Sequence, residues 1–170
     1  MSIHDINGKT VLIAGGAKNL GGLIARDFAA QGAAAVAVHY NSDAARAEAD
    51  ETVAAIEAAG AKGFAFQADL TTASAVEKLF ADARAAMGSI DIAINTVGKV
   101  LKKPMVEISE AEFDEMSAVN SKSAFFFLKE AGRNVSNGGK VCTLVTSLLG
   151  APFFIALIFM RRREFSGGAG

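Results

Sequence analysis

The strongest constraint on this chain is an alternation. Five short apolar runs of strand length take turns with four longer stretches of helical spacing between residues 10 and 146. Residues 10–15 (TVLIAG) form the first run and stop at glycine. Residues 20–31 follow with helical spacing, and Gly32 suits the end of that helix. Residues 34–40 read as a second strand. Ser42 is placed to cap an Ala-rich helix that ends near Gly60. Residues 62–68 make a third strand, with Phe64 and Phe66 alternating. Ser74 and Glu77 then have the spacing of a capping box for a helix reaching about Met87. Residues 91–95 (DIAIN) are a fourth strand. Ser109 and Glu112 form a second capping-box pair, opening a helix that runs past Asn120 and through Phe125–Phe127 to about Glu130. Residues 139–146 (GKVCTLVT) are a fifth strand.

Strands this short and apolar on both faces, each followed by a helix, belong in a parallel sheet covered on two sides. The expected fold is α/β, a Rossmann-like doubly wound parallel sheet with five recognisable strands. Such sheets bind ligands beyond the carboxyl ends of their strands. The expected division is a dinucleotide-binding domain over residues 1–150 and an atypical apolar and basic tail over 151–170.

The turn after the first strand reads Gly15-Gly16-Ala17-Lys18-Asn19-Leu20-Gly21-Gly22. It joins a strand to a helix, as a phosphate-binding turn must, so bare backbone and helix N–H groups can face a diphosphate. Close helix–strand packing would select the same glycines. Asn19 stands where a glycine is usual, and Asn tolerates positive φ. Charge speaks to the coenzyme. An NAD site usually places an acid at the end of the second strand. Here that end reads His39-Tyr40-Asn41-Ser42, with Lys18 in the turn and Arg46 just beyond. NADP is therefore expected over NAD, with Asn41 and Ser42 beside the adenosine ribose.

The remaining composition narrows the function classes. A net charge of -1 argues against a binder that works by neutralising nucleic-acid phosphates. A single cysteine, Cys142, excludes a disulfide framework and a cysteine zinc site, and His4 and His39 offer no metal-ligand spacing. The opening MSIHDINGK lacks a secretory pattern, so a soluble cytoplasmic protein is the default expectation. The stretch between Lys140 and Arg161 carries no charge and could be read as a tail anchor, although Thr143, Thr146, Ser147, Gly150 and Pro152 interrupt it.

Four further segments join the glycine turn in order and spacing: Asp69-Leu70, Asn95-Thr96-Val97-Gly98, Asn120, and Ser147-Leu148-Leu149-Gly150. Together they resemble the short-chain dehydrogenase/reductase family over about residues 8–150. The resemblance implies that Gly15, Asn19, Leu20 and Gly21 surround the diphosphate and that Asp69 accepts from the adenine amino group beside Leu70. It implies that Asn95, Val97 and Gly98 line the cofactor, that Asn120 holds a water in a proton relay, and that Ser147 polarises a substrate carbonyl. The implied substrate is a small carbonyl or alcohol compound, and the implied assembly is a homo-oligomer.

The resemblance also exposes a gap. Family chemistry uses a tyrosine about a dozen residues past the serine and a lysine four further on, the lysine lowering the tyrosine pKa. The chain has one tyrosine, Tyr40. The expected positions hold Phe159 or Met160 and Arg163 or Glu164. The reading is thus a family oxidoreductase whose present chain lacks its proton-transfer pair, by truncation or frame shift after about residue 150. The fifth strand is then expected to be a bare apolar edge, with poor solubility and assembly. The competing readings are a dinucleotide-binding module without chemistry and a tail-anchored nucleotide-binding protein.

Overall fold

The computed structural model of the chain describes residues 5–145 and 160–161. Its elements run β1 (Thr10–Ala14), α1 (Asn19–Ala30), β2 (Ala35–Tyr40), a 3-10 turn (Asp43–Ala45), α2 (Arg46–Ala58), β3 (Lys62–Gln67), α3 (Ala73–Met87) and β4 (Ile90–Asn95). A second 3-10 turn (Met105–Glu107), α4 (Glu110–Met116), a π turn (Ser117–Lys122), α5 (Ser123–Asn134), β5 (Val135–Thr143) and β6 (Met160–Arg161) complete them. The sheet order is β3-β2-β1-β4-β5-β6, and the first five strands are parallel. The order reverses between β1 and β4. The doubly wound α/β architecture expected from the alternation is the one observed.

Burial explains the apolar runs. All five residues of β1 and all six of β2 are buried, because helices cover both faces. One core layer gathers Leu12, Leu79, Phe80, Ile90 and Phe127 against α3 and α5. The other gathers Val11, Ile13, Val36, Val38, Ile56 and Ile92 against α1 and α2. Alternate residues of β1 thus feed opposite layers, as a period of two demands. Phe80 and Phe127 meet at 5.0 Å between ring centroids. Phe127 is fully buried in the core, whereas Phe125, from the same run, is 63% exposed.

Several local expectations are corrected. Ser74 and Glu77 do not form a capping box. Thr72 is the N-cap of α3, and its hydroxyl accepts from the Ala75 N–H. Two residues with the right spacing lost to the one whose backbone is extended at the chain's entry into the helix. Ser42 does precede a helical turn, but its side chain makes no cap, and a 3-10 turn separates it from α2. The Ser109–Glu112 box is present in both directions. The helix it opens passes through a π turn at Ser117–Lys122 before continuing. The fifth strand begins at Val135, four residues early, with a register irregularity between Ile90 and Ile92. Its outer side is not bare throughout, since Met160 and Arg161 pair antiparallel with Val141 and Lys140. Among the described residues no helix is long and apolar enough to cross a membrane.

Candidate functional site

A cleft of about 560 Å³ opens at the carboxyl ends of β1, β2, β3 and β4, beside the reversal in strand order. Its size lies within the range of cofactor sites, roughly 300–1,000 Å³. Gly15, Ala17, Lys18, Asn19, Leu20 and Gly21 form its floor, Tyr40, Asn41, Ala45, Asp69, Leu70 and Thr71 one end, and Thr96, Val97, Gly98, Lys99, Glu115, Val119, Ser123 and Leu144 the other.

The floor is built by close backbone packing. Gly15 has φ +76°, and a Cβ there would meet Thr96 Oγ1 at 2.6 Å. A Cβ on Gly21 would lie 2.2 Å from the Gly15 carbonyl oxygen. The glycines therefore bring the first turn of α1 flush against β1 and the end of β4, and this packing leaves the helix mouth facing the cleft. Asn19 has φ 52° and is the single non-glycine residue with positive φ among those described. It takes the left-handed conformation that a glycine would have supplied. Lys18, at the N-cap, gives α1 no side-chain cap, and no acid lies in its first turn. Uncapped N–H groups with positive polarity and no competing carboxylate suit a phosphate group. The residues present fit a dinucleotide diphosphate on these grounds.

Surrounding side chains lock the turn. The Thr96 hydroxyl donates to the Ala14 carbonyl at 2.8 Å, and Thr52, fully buried on α2, donates to the Ala17 carbonyl at 2.7 Å. The Gly15 N–H donates to His39 Nδ1 at 3.1 Å, and His39 Nε2 lies 2.8 Å from the Ala68 carbonyl. Burial pushes the His39 pKa down, against smaller opposing effects of the Ala68 carbonyl and the Asp69 charge.

At the adenosine end, Asn41 lines the cleft and Ser42 sits half-buried next to it. Asp43 is exposed on the 3-10 turn. The Arg46 guanidinium stacks over the Tyr40 ring at 5.9 Å from its centroid. Lys18 Nζ is 2.7 Å from Glu48 Oε1, and that hydrogen bond holds the Glu48 carboxyl below the usual carboxylate range. Asp69 is exposed, and its Oδ1 accepts from the Thr71 N–H at 3.0 Å in an Asx turn. It is not a helix cap, that place being taken by Thr72. Leu70 is buried beside it.

At the opposite end Asn95 lies beneath the cleft wall, 1% exposed, its Oδ1 accepting from the Val97 N–H. Asn95 Nδ2 and Thr143 Oγ1, on register partners of β4 and β5, are buried without a hydrogen-bond partner among the described residues. Asn120 clamps the loop that follows β4. Its Oδ1 accepts from the Lys99 N–H at 2.9 Å, and its Nδ2 donates to the carbonyls of Lys99 and Met116, both at 3.0 Å. Asn120 lies within the π turn, whose i−5 pairing departs from the usual helical i−4 bonds. Lys99 Nζ pairs with Glu115 across the same loop. Ser147 lies outside the described residues, as do Phe159, Arg163 and Glu164. Among the described residues no group of side chains could hold a metal ion.

Of the residues expected from sequence, Gly15, Lys18, Asn19, Leu20, Gly21, Asn41, Asp69, Leu70, Val97 and Gly98 line one cleft. Ser42, Asn95 and Asn120 stand next to it. Sequence reasoning missed the roles of His39, Thr52 and Thr96. Thr96 was signalled only by its place in the Asn95–Gly98 stretch, His39 only by its place at the end of a strand.

Residues 9–155 match the family model described as short chain dehydrogenase. The chain is 35% identical over 142 residues to elsinochrome reductase 1 of Elsinoe fawcettii, covering 83% of this chain and 52% of that protein. It is 34% identical over 165 residues to the short chain dehydrogenase/reductase nsrJ of Aspergillus novofumigatus, covering 97% and 60%. A crystal structure of a Burkholderia cenocepacia protein with bound NADP superposes with a TM-score of 0.85 at 68% identity, over 92% of this chain and 58% of that one. A short-chain dehydrogenase from Oenococcus oeni superposes with a TM-score of 0.75 at 46% identity, over 86% and 66%. The chain thus spans between about half and two thirds of the length of these relatives.

Proposed function

This chain belongs to the short chain dehydrogenase family of oxidoreductases, and from that premise we propose that it binds NADP(H) in the cleft at the carboxyl ends of its strands. One observation carries the reading: the uncapped mouth of α1 and the ammonium of Lys18 share a cleft whose β2 end contributes no acid. In this reading the first-turn amides of α1 receive the diphosphate. Lys18, Asn41 and Ser42 face the 2′-phosphate, and Asp69 and Leu70 hold the adenine. Val97 and Gly98 line the nicotinamide half, in a loop that Asn120 fixes through Lys99. The NADP-bound relative at 68% identity supports the choice of coenzyme.

When bound, the reduced coenzyme supplies a hydride for a carbonyl carbon. The carbonyl oxygen must then gain a proton, and the chain's side of that event is incomplete. Its one tyrosine, Tyr40, is 5% exposed beneath Arg46, at the adenosine end of the cleft. Phe159 and Met160, at the family's tyrosine position, cannot transfer a proton. We read the 170-residue chain as a coenzyme binder with little or no turnover, related to reductases of small carbonyl or alcohol compounds. The test is calorimetric titration of the full chain with NADPH and NADH, followed by NADPH consumption with simple ketones. Tighter binding of NADPH than NADH and negligible consumption are expected. Absence of NADPH binding refutes the first part, and rapid ketone-dependent consumption refutes the second.

A further inference from the structure

His39 is 2% exposed, at the penultimate position of β2, and its two ring nitrogens meet different chemistry. The Gly15 N–H points at Nδ1 across 3.1 Å. A ring nitrogen accepts a hydrogen bond only when it carries no proton. The opposite nitrogen, Nε2, lies 2.8 Å from the Ala68 carbonyl, which can only accept. The two partners together fix a neutral imidazole with its proton on Nε2. Burial favours the same neutral form, and Asp69 is the charged group that acts on the ring in the opposite sense.

This ring joins three connections that line the cleft. Gly15 begins the turn under the diphosphate, His39 stands one residue before the end of β2, and Ala68 precedes Asp69 and Leu70. Gly15 follows the last residue of β1, and its N–H takes the His39 ring as acceptor in place of a neighbouring strand. We propose that His39 is a positioning residue for coenzyme binding: by accepting from Gly15 it holds the diphosphate turn in place, while its bond to the Ala68 carbonyl fixes the tautomer that can do so. The inference rests on the dinucleotide reading above. His39 itself touches no reacting atom.

Two substitutions separate the two ends of the ring. In His39→Asn the side-chain oxygen can take the place of Nδ1 and still accept from Gly15. In His39→Gln the longer amide can reach the Ala68 carbonyl as Nε2 does, leaving Gly15 without its acceptor. The measurements are NADPH titration of the full chain, thermal melting, hydrogen exchange of the Gly15 amide, and the nitrogen shifts of the imidazole in the unmutated protein. The expected result is an NADPH affinity within about threefold of the parent for His39→Asn and about tenfold weaker for His39→Gln, with similar melting temperatures. The Gly15 amide exchanges faster in His39→Gln before any ligand is added, and the imidazole shows its proton on Nε2. Equal affinities in the two variants, or a proton on Nδ1, overturn the proposal while leaving the dinucleotide reading intact. Failure of the unmutated chain to bind NADPH overturns both. Should one variant fail to fold, the imidazole tautomer and the Gly15 exchange rate of the parent still decide, and fast exchange there overturns the proposal.

Discussion

Replacing Gly21 with alanine tests whether the cleft floor is set by contact between backbones. The added methyl would lie 2.2 Å from the Gly15 carbonyl oxygen, 2.8 Å from the Gly15 carbonyl carbon and 2.8 Å from Thr96 Oγ1. To reach even 3.0 Å from that oxygen the start of α1 must retreat by about 0.8 Å. No flexible side-chain end can absorb the movement, because the first obstacle is main chain. Overfilling a packed site costs about 1–3 kcal/mol, and a rigid backbone neighbour puts this case at the upper end. Alanine regains up to about 1 kcal/mol of helix propensity over glycine. The net expectation is a loss of about 2 kcal/mol, with NADPH binding weakened further because the turn moves away from β1. Gly132→Ala is the matched control. Gly132 lies in α5 with open space around its absent Cβ and no left-handed backbone, so alanine should stabilise by about 0.5–1 kcal/mol. Urea unfolding midpoints of both variants read out the pair. A Gly21→Ala midpoint at or above that of the parent would refute the reasoning, as would a shift of both variants in the same direction.

Glu48→Gln frees Lys18 from its exposed ion pair, so NADPH should bind about threefold tighter at low ionic strength with NADH unchanged, and salt should erase the gain. Titrations at two salt concentrations check this, and an equal gain for both coenzymes would contradict it. Glu112, held down to about 2 chiefly by the Ser109 backbone N–H and then by Lys103, stabilises the fold above its unfolded pKa near 4.5. That contribution disappears as pH falls from there through about 2. Melting temperatures of Glu112→Gln should therefore trail the parent at pH 7 and converge with it near pH 2; a constant gap would be inconsistent. Phe127→Ala empties a fully buried site against Phe80 and should cost about 3–5 kcal/mol in urea unfolding, an expectation that a loss under 1 kcal/mol would defeat.

The parallel sheet was legible in the chain because both of its signals are local. Strands covered on two faces must be apolar at successive positions, as β1 and β2 are. A strand that turns sharply into a helix needs glycine or asparagine at left-handed backbone, as Gly15 and Asn19 show. Of the cleft's lining, the glycine turn and Asn41 followed from the same locality, whereas Asp69, Leu70, Val97 and Gly98 were implied by the family resemblance. What only the tertiary structure decided were pairings across long separations. The N-cap of α3 went to Thr72 over the better-spaced Ser74, because capping depends on where the backbone enters the helix. The π turn at Ser117–Lys122, with Asn120 clamped on Lys99, needs the loop after β4 to lie alongside. The contacts of His39 with Gly15 and Ala68 span 24 and 29 residues, and that of Thr96 with Ala14 spans 82. A hydrogen bond between residues so far apart leaves no periodicity along the chain. It exists only after the sheet has brought the strand ends together.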